Sequence, residues 1–365
     1  MSTRRQRTRN KPTIVRLERH DAPGEQLVFP WSDRRLAGID VACLPTVLAS
    51  CYFPRRRPTT DALLRRDGDD SLILEAHSLD INGRLVKPGL PYGAPGRLIF
   101  TAFATLAKLQ AAIRPDLRPR LYLPRSARAF YRFTHGDAAA QGRNRARFIQ
   151  HFYRVLATEI TATRRERVPV PDRTAARIRV QTGWEFEAFR VVDKAHLWWN
   201  PRDIDTMPLF PSWVRLSDRM WDWIDRTTIP LDWHAYRAHA PWPLTMDIDA
   251  WLAARLARLH EPVFLTWAQL YRQFVGERPA GLSERAWSNR LRPFKWDFVT
   301  NLKRTLAVYK RARVEVTATG IWLRPSPPWV DPRKELRKIE QAADVYFPGK
   351  VEPLVKLDLK WDWDW

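Results

Sequence analysis

Apolar residues recur at helical spacing through the middle of the chain. In "GRLIFTAFATLAKLQAAI", residues 96–113, they return every three or four positions, and Pro95 with Gly96 is a typical helix start. "RLYLPRSARAFYRF", residues 120–133, predicts a short strand and then a short helix. Residues 143–167 predict a longer helix with an apolar and a basic face; the first holds Ile149, Phe152, Leu156 and Ile160, the second Arg143, Arg147, Gln150, Arg154 and Thr158.

A period of two follows in "ARIRVQTGWEFEAFRVV", residues 176–192, which predicts a hairpin that turns at Thr182 and Gly183. The whole order of patterns then returns further along. "MDIDAWLAARLARLH", residues 246–260, predicts a helix, and "FLTWAQLYRQF", residues 264–274, predicts a short strand and a short helix. Thr266 precedes that helix at the position of an N-cap.

The second copy ends in a basic helix and a hairpin. Helical spacing places an apolar stripe at Phe294, Phe298, Leu302, Leu306 and Tyr309. "RVEVTATGIWLRP", residues 313–325, alternates as a hairpin does, and Gly320 is the residue expected to form its turn. Before the helix, "VGERPAGLSERAWSNRLR", residues 275–292, is interpreted as a loop that faces the partner, with a mobile surface loop as the alternative.

Helix, strand, helix, basic helix and hairpin therefore occur twice, which is the element order of a winged helix. We expect an α+β fold of two tandem winged-helix domains, with a basic N-terminal arm and a short extended C-terminal tail. The boundaries are residues 1–87 for the arm and an unassigned region, 88–225 and 226–330 for the two domains, and 331–365 for the tail. Residues 211–239 between the modules predict a strand and a connecting helix. The alternative for either copy alone is a plain α+β domain whose helix has a charged outer face.

The net charge of the chain indicates what kind of ligand it binds. The chain of 365 residues has 62 Lys and Arg against 40 Asp and Glu, a net charge of +22, and this excess predicts a polyanion as ligand. The arm, residues 1–24, is either a solvated terminus or an extension that touches phosphates. Cys43 and Cys51 have no flanking ligands and are interpreted as small core residues in a reducing compartment. Neither a signal peptide nor a membrane span is apparent, so we expect a cytoplasmic protein.

Four segments resemble a known family. "GLPYGAPGRLIF", "WVRLSDRMWDWI", "PLTMDIDAWLAARLARL" with "FLTWAQL", and "RVEVTATGIWLRPSPP" are similar, in order and spacing, to the plasmid-encoded RepA replication initiators, a tandem winged-helix group related to the TrfA type. The resemblance covers about residues 88–330. It implies binding of double-stranded origin repeats (iterons), opening of adjacent AT-rich DNA, and contact with the host replicative helicase and host initiator. It also implies autorepression and a homodimer in equilibrium with the monomer.

Candidate DNA-binding residues follow from the two basic helices and their hairpins. Arg147 and Arg292 are the predicted base readers, because arginine pairs with guanine more often than any other side chain does. The first module supplies Arg143, Arg145, Arg147, Gln150, Arg154 and Arg179. The second supplies Arg285, Asn289, Arg290, Arg292, Lys295, Trp296, Thr300, Lys303, Arg304 and Arg313. Trp296 has two interpretations, core burial or contact with a thymine methyl or sugar.

Catalytic motifs are missing from the sequence. No two of the eight histidines form the His-x-His pair of nicking initiators, and no GxxxxGK(S/T) loop occurs. "DGDD" and "DWDWDW" are interpreted as surface charge, so we expect no enzyme activity, metal or cofactor. The alternatives are a tandem winged-helix transcriptional repressor without a replication role and, less favoured, a nucleic-acid enzyme. "VKLDLKWDWDW" predicts a C-terminal strand that packs on its own fold or joins a partner's sheet.

Overall fold

The computed structural model describes residues 31, 36–50, 52–67, 70–81, 83–136, 143–171, 178–199 and 211–331, which fold as a mixture of helices and small antiparallel sheets. The predictions for the arm, for Cys51 and for the C-terminal strand lie outside these residues. The elements up to the first basic helix are β1 Val41–Pro45, α1 Thr46–Ser50, β2 Ala62–Asp67, β3 Asp70–Ala76, β4 Leu79–Ile81, β5 Arg84–Val86, α2 Gly93–Ile113, β6 Arg120–Tyr122, α3 Ala127–His135 and α4 Arg143–Leu156.

The remaining elements form a series of strands, a connecting segment and a second group of helices. The strands are β7 Thr158–Pro171, β8 Ile178–Arg190, β9 Val192–His196 and β10 Trp213–Leu216. The connecting segment is α5 Asp218–Thr227, β11 Thr228–Asp232 and α6 Trp233–Ala238, which confirms the strand and helix predicted there. The second group is α7 Pro243–Leu256, β12 Val263–Thr266, α8 Trp267–Phe274, α9 Glu284–Val308, β13 Arg313–Val316 and β14 Gly320–Arg324.

The second group has the element order that the sequence predicts. The Thr266 hydroxyl accepts a hydrogen bond from the Gln269 amide, and the Gln269 side chain bonds back to Thr266, so the predicted N-cap is confirmed as a full capping box. Strand β14 lies between β12 and β13 in a three-stranded antiparallel sheet. The predicted apolar stripe of α9 is buried, except that Leu306 is half-buried.

Two features of the first group differ from the prediction. Helix α4 ends at Leu156, and Thr158 and Ile160 lie on β7, because this threonine-rich stretch pairs with β3 instead of extending the helix. The hairpin predicted to turn at Thr182 and Gly183 is also wrong. Both residues lie inside β8, where Gly183 pairs with Glu166 of β7.

A different hairpin follows the same helix. Strand β10 pairs with both β6 and β9, which gives a three-stranded sheet of order β6-β10-β9. The second group orders its sheet in the same way, since its strand β14 also pairs with the strand before α8 and with β13. The pair β9 and β10 thus occupies the position expected for residues 176–192, and the longer β7 and β8 join β2 and β3 in a separate four-stranded sheet.

Residues that the sequence left unassigned join the two groups. Strand β1 pairs with β11 over Val41–Pro45 and Thr228–Asp232, and its Cys43 is half-buried. Helix α1 packs against α7, and α2 contacts β1, α5 and α7. The centre of this joint is a buried ion pair in which the Arg97 guanidinium of α2 donates to both carboxylate oxygens of Asp247 on α7, at 2.6 and 2.9 Å.

Candidate nucleic-acid interface

One face of α9 points away from the protein and is polar and basic along its length. At 3.6 residues per turn, positions 285, 289, 292, 296, 300 and 303 share a face opposite the buried Phe294, Phe298 and Leu302. The side chains on this face are exposed apart from Thr300, which is half-buried. We call this set the outer stripe; it consists of Arg285, Asn289, Arg292, Trp296, Thr300 and Lys303.

The outer stripe has three cations and no carboxylate. It extends over about 27 Å of helix axis, since 18 residues separate its ends and each rises about 1.5 Å. The acidic residues near it are engaged elsewhere: Glu284 accepts a hydrogen bond from Arg278 at 2.7 Å, and Asp297 accepts one from Asn301 at 2.9 Å. The face that α9 offers to a ligand is therefore positively charged.

The interpretation of residues 275–292 as a loop is wrong for its second half. Ser283 caps α9, with its hydroxyl accepting from the Ala286 amide, so Arg285, Asn289 and Arg292 are helical. Pro293 lies inside the helix, where it removes one backbone hydrogen bond without ending the helix. Arg290 is exposed as well but lies about 120° around the axis from Trp296, off the outer stripe.

A signal for the longer helix was present in the sequence. Trp287, Leu291, Phe294 and Phe298 continue one apolar stripe across Pro293, and Ser283 stands just before it. The proline conceals this continuity, and as a result Ser288 was missed as a candidate. Its exposed hydroxyl lies one turn from both Arg285 and Arg292.

Lys295 positions the hairpin against α9 rather than pointing outward. Its ammonium donates to the Ala318 carbonyl in the β13–β14 turn at 3.0 Å and lies 5.2 Å from the centre of the Trp267 ring. The Trp267 indole donates to the same carbonyl at 3.1 Å. The turn is thereby fixed beside the helix, and Arg313, exposed on β13, extends the basic surface onto the hairpin.

Arg304 lies off the outer stripe and contacts residues of the protein itself. Its guanidinium stacks on Trp242 at 4.4 Å and donates to the Asn301 amide oxygen at 3.0 Å. Asn301 in turn accepts a hydrogen bond from the Thr245 hydroxyl at 2.7 Å, which links α9 to α7. Arg304 therefore contributes to orienting α9.

Trp296 is 72% exposed, so its interpretation as a core residue is wrong. Most other tryptophans of the described residues are buried; Trp233 and Trp251, for example, are fully buried. Helix geometry explains the difference, since 296 lies opposite the apolar stripe of α9.

On the first basic helix, α4, the structure describes fewer of the candidate DNA-binding side chains. Arg147 and Gln150 are exposed on α4, whereas the side chains of Arg143, Arg145 and Arg179 lie outside the part of the chain that the structure describes. Arg154 was predicted to face DNA but is buried: its guanidinium donates to the Leu90 carbonyl at 3.0 Å and stacks on Tyr92 at 4.9 Å. Its position supports packing, not contact with DNA.

Two histidines, the buried His151 on α4 and the half-buried His135 at the end of α3, add no charge at neutral pH. Burial is the main cause that lowers the pKa of His151 to about 3, and the nearby Arg154 and Arg147 lower it further. Burial and Arg147 likewise lower the pKa of His135 to about 4. The positive charge of this surface near neutral pH therefore comes from arginine.

Among the described residues, no group of His, Cys, Asp and Glu is arranged to hold a metal ion. In the same part of the chain, every helix is too short or too polar to cross a bilayer.

The fold and this surface define a mixed α/β protein with a basic helix braced by a hairpin. Residues 90–269 match the family model described as plasmid encoded RepA protein. The resemblance seen in the sequence is thus confirmed over these residues.

Two solved structures of RctB are similar at low identity. The crystal structure of RctB domains 2-3 has 9% identity and a TM-score of 0.40, and covers 80% of this chain and 99% of its own. The structure of SeMet derivatives of RctB domain 2 and domain 3 has 10% identity and a TM-score of 0.41, with coverage of 79% and 99%. A comparison with curated protein sequences found no match.

Proposed function

We propose that the protein is a plasmid replication initiator that binds repeated double-stranded sites, iterons, at an origin. The match of residues 90–269 to the plasmid-encoded RepA family model supports the initiator role. The observation that carries DNA binding is the outer stripe of α9, which is exposed, free of carboxylates and continuous with a hairpin fixed beside it. The proposal has two tandem winged-helix modules, each inserting its basic helix, α4 or α9, into a major groove.

In this mechanism each part of the surface has a separate task. Arg292 and Asn289 read base edges, since arginine suits guanine and asparagine suits adenine. Lys303, Arg313 and Arg285 contact phosphates and set the register on the duplex. Lys295 and Arg304 keep the hairpin and helix in place through Ala318 and Trp242. Opening of AT-rich DNA, contact with the host helicase and host initiator, and autorepression as a dimer complete the proposed role, which needs no catalysis by this chain.

Affinity for an iteron should fall steeply with salt. If about eight phosphates are neutralised, a plot of log K against log salt concentration should have a slope of about −7, because each contact releases condensed counterions. Fluorescence anisotropy with a labelled iteron between low and physiological salt measures this slope. An affinity that hardly changes with salt would contradict the phosphate contacts.

Arg292→Ala should weaken iteron binding by about 5- to 100-fold, the loss expected for one bidentate guanine contact. Arg290→Ala is the matched control, because Arg290 is also exposed on α9 but lies off the outer stripe. The control should lose about threefold or less, through phosphate attraction alone. Equal losses in the two variants, or an equal loss on unrelated DNA, would remove Arg292 from base recognition.

A tandem winged-helix repressor would share this surface, so binding alone does not separate the two functions. Maintenance of a plasmid that depends on this gene and its flanking DNA does so. An initiator loses maintenance when Arg292 is replaced, whereas a repressor changes only transcription of the gene it controls. Incubation of supercoiled origin DNA with Mg²⁺ or Mn²⁺ tests the remaining alternative, since an enzyme would nick it.

A further inference from the structure

Trp296 is largely exposed on α9. Its indole is 72% exposed at the middle of the outer stripe, between Arg292 and Thr300. The exposed Trp198 and Trp242 contact His196 and Arg304, whereas no such ring or cation contact is found for Trp296 within the described residues. An indole in water forgoes the gain of burial, and a ligand that covered it would supply that gain.

The neighbours of Trp296 narrow the chemistry of that ligand. Four residues lie on the same face, one to two turns away on either side: Asn289, Arg292, Thr300 and Lys303. Each of these side chains is able to donate a hydrogen bond to a polar group of a ligand. The indole is the one large apolar group among them. In the major groove, the apolar group that distinguishes one base pair from another is the C5-methyl of thymine.

We propose that Trp296 is a specificity-determining residue that packs its indole against a thymine methyl group in each iteron. This inference rests on the proposed function, because it requires α9 to lie in the major groove. The indole lies midway along the stripe, so the thymine falls between the bases read by Asn289 and Arg292 on one side and the contacts of Thr300 and Lys303 on the other. Removal of the methyl leaves every hydrogen bond of the base pair intact.

The test replaces each thymine of the iteron in turn by deoxyuridine, which lacks only the methyl group. Wild-type protein should bind about three- to tenfold more weakly at one or two of these positions, as expected for losing one buried methyl contact. Trp296→Ala should weaken binding to the unmodified iteron by a similar factor and should no longer respond to those substitutions. Trp296→Phe should keep part of the response, because a smaller ring still reaches the methyl.

Trp198→Ala is the matched control, an exposed tryptophan outside α9 whose loss should leave the deoxyuridine response unchanged. Trp296→Ala should unfold at nearly the same urea concentration as wild type, since the side chain is 72% exposed. Normal iteron affinity of Trp296→Ala, or a deoxyuridine response that persists in it, would overturn the inference.

The two proposals fail in different ways. Wild-type protein could bind the repeats specifically and with the expected salt dependence, and yet bind equally well when deoxyuridine replaces any thymine. That result would overturn the role of Trp296 and leave the proposed function standing. Absence of any repeat-specific binding overturns the proposed function and this inference together.

Discussion

Arg97→Met should lower the free energy of unfolding by about 3–5 kcal/mol, the cost of leaving one member of a buried ion pair without its partner. Arg97 is 3% exposed and Asp247 is 4% exposed. The guanidinium also donates to the carbonyl oxygens of Phe53, Gly93 and Pro54, at 2.6, 2.9 and 3.3 Å. The substitution would remove all of these hydrogen bonds together, although the Pro54 carbonyl would still accept one from the Gly93 amide at 2.8 Å. Urea unfolding followed by far-UV circular dichroism measures the loss.

Arg114→Met is the matched control for this variant. The Arg114 guanidinium also donates two hydrogen bonds to an aspartate, Asp116, at 2.6 and 2.8 Å. The two side chains, however, are 31% and 58% exposed. An exposed pair contributes less than about 1 kcal/mol, so the control should stay close to wild type. If Arg97→Met were no worse than Arg114→Met, the buried pair would not hold the joint together.

The double variant Arg97→Met with Asp247→Leu separates the ion pair from the rest of the network. Removing both charges avoids the stranded carboxylate, so the double variant should be more stable than Arg97→Met alone by about 1 kcal/mol or more. Recovery should be incomplete, because the hydrogen bonds that the guanidinium donates to the carbonyls of Phe53, Gly93 and Pro54 are still lost. A double variant that loses the sum of both single effects would contradict this coupling.

This ion pair lies in the segments by which the family is recognised. Arg97 belongs to "GLPYGAPGRLIF" and Asp247 to "PLTMDIDAW", and both fall within the matched residues 90–269. Helix α9 begins at Glu284, beyond that match. The matched residues therefore include the ion pair that joins the two groups of helices, and they also include α4. The outer stripe of α9 and the β13–β14 hairpin lie beyond them.

Local patterns predicted the helices well and the strand pairings poorly. The buried stripe of α9 and the cap at Thr266 are local features, encoded within a few residues, and both are confirmed. Strand β1 pairs with β11 nearly two hundred residues away, and β3 pairs with β7. Such pairings depend on packing between distant segments, which periodicity along the chain does not encode. For the same reason β7 was taken as a continuation of α4.

In the candidate site, too, local features were predicted correctly and contacts between distant residues were not. Helical spacing correctly assigned Arg292 and Lys303 to an exposed face, whereas it could not show that Arg154 turns inward to Leu90 and Tyr92. Lys295 was assigned to the groove although its ammonium bonds Ala318. Both errors arise from long side chains, which reach several ångströms from their backbone and can bond to elements far away in sequence.

Gly320 and Gly183 were predicted to turn two hairpins, and both lie in strands. Neither has the positive φ that would favour glycine in a turn. Gly320 begins β14, where a Cβ would lie 2.1 Å from the Leu265 carbonyl oxygen of β12 and 2.8 Å from the Phe264 ring. Gly183 in β8 has nothing within 4 Å of that position. Glycine is thus required at 320 by the close approach of a neighbouring strand and is not required by sterics at 183.

Gly320→Ala should therefore destabilise the protein by about 3 kcal/mol, at the upper end for overpacking, because a backbone carbonyl and not a flexible side chain must move. Gly183→Ala should be neutral or stabilise by up to about 1 kcal/mol, since it restricts only the unfolded chain. Urea unfolding of both variants measures the difference. Separation of β12 from β14 would also displace the turn that Lys295 holds, so Gly320→Ala should weaken iteron binding even below its unfolding transition. Equal stability of the two variants would show that β12 and β14 do not approach each other as described.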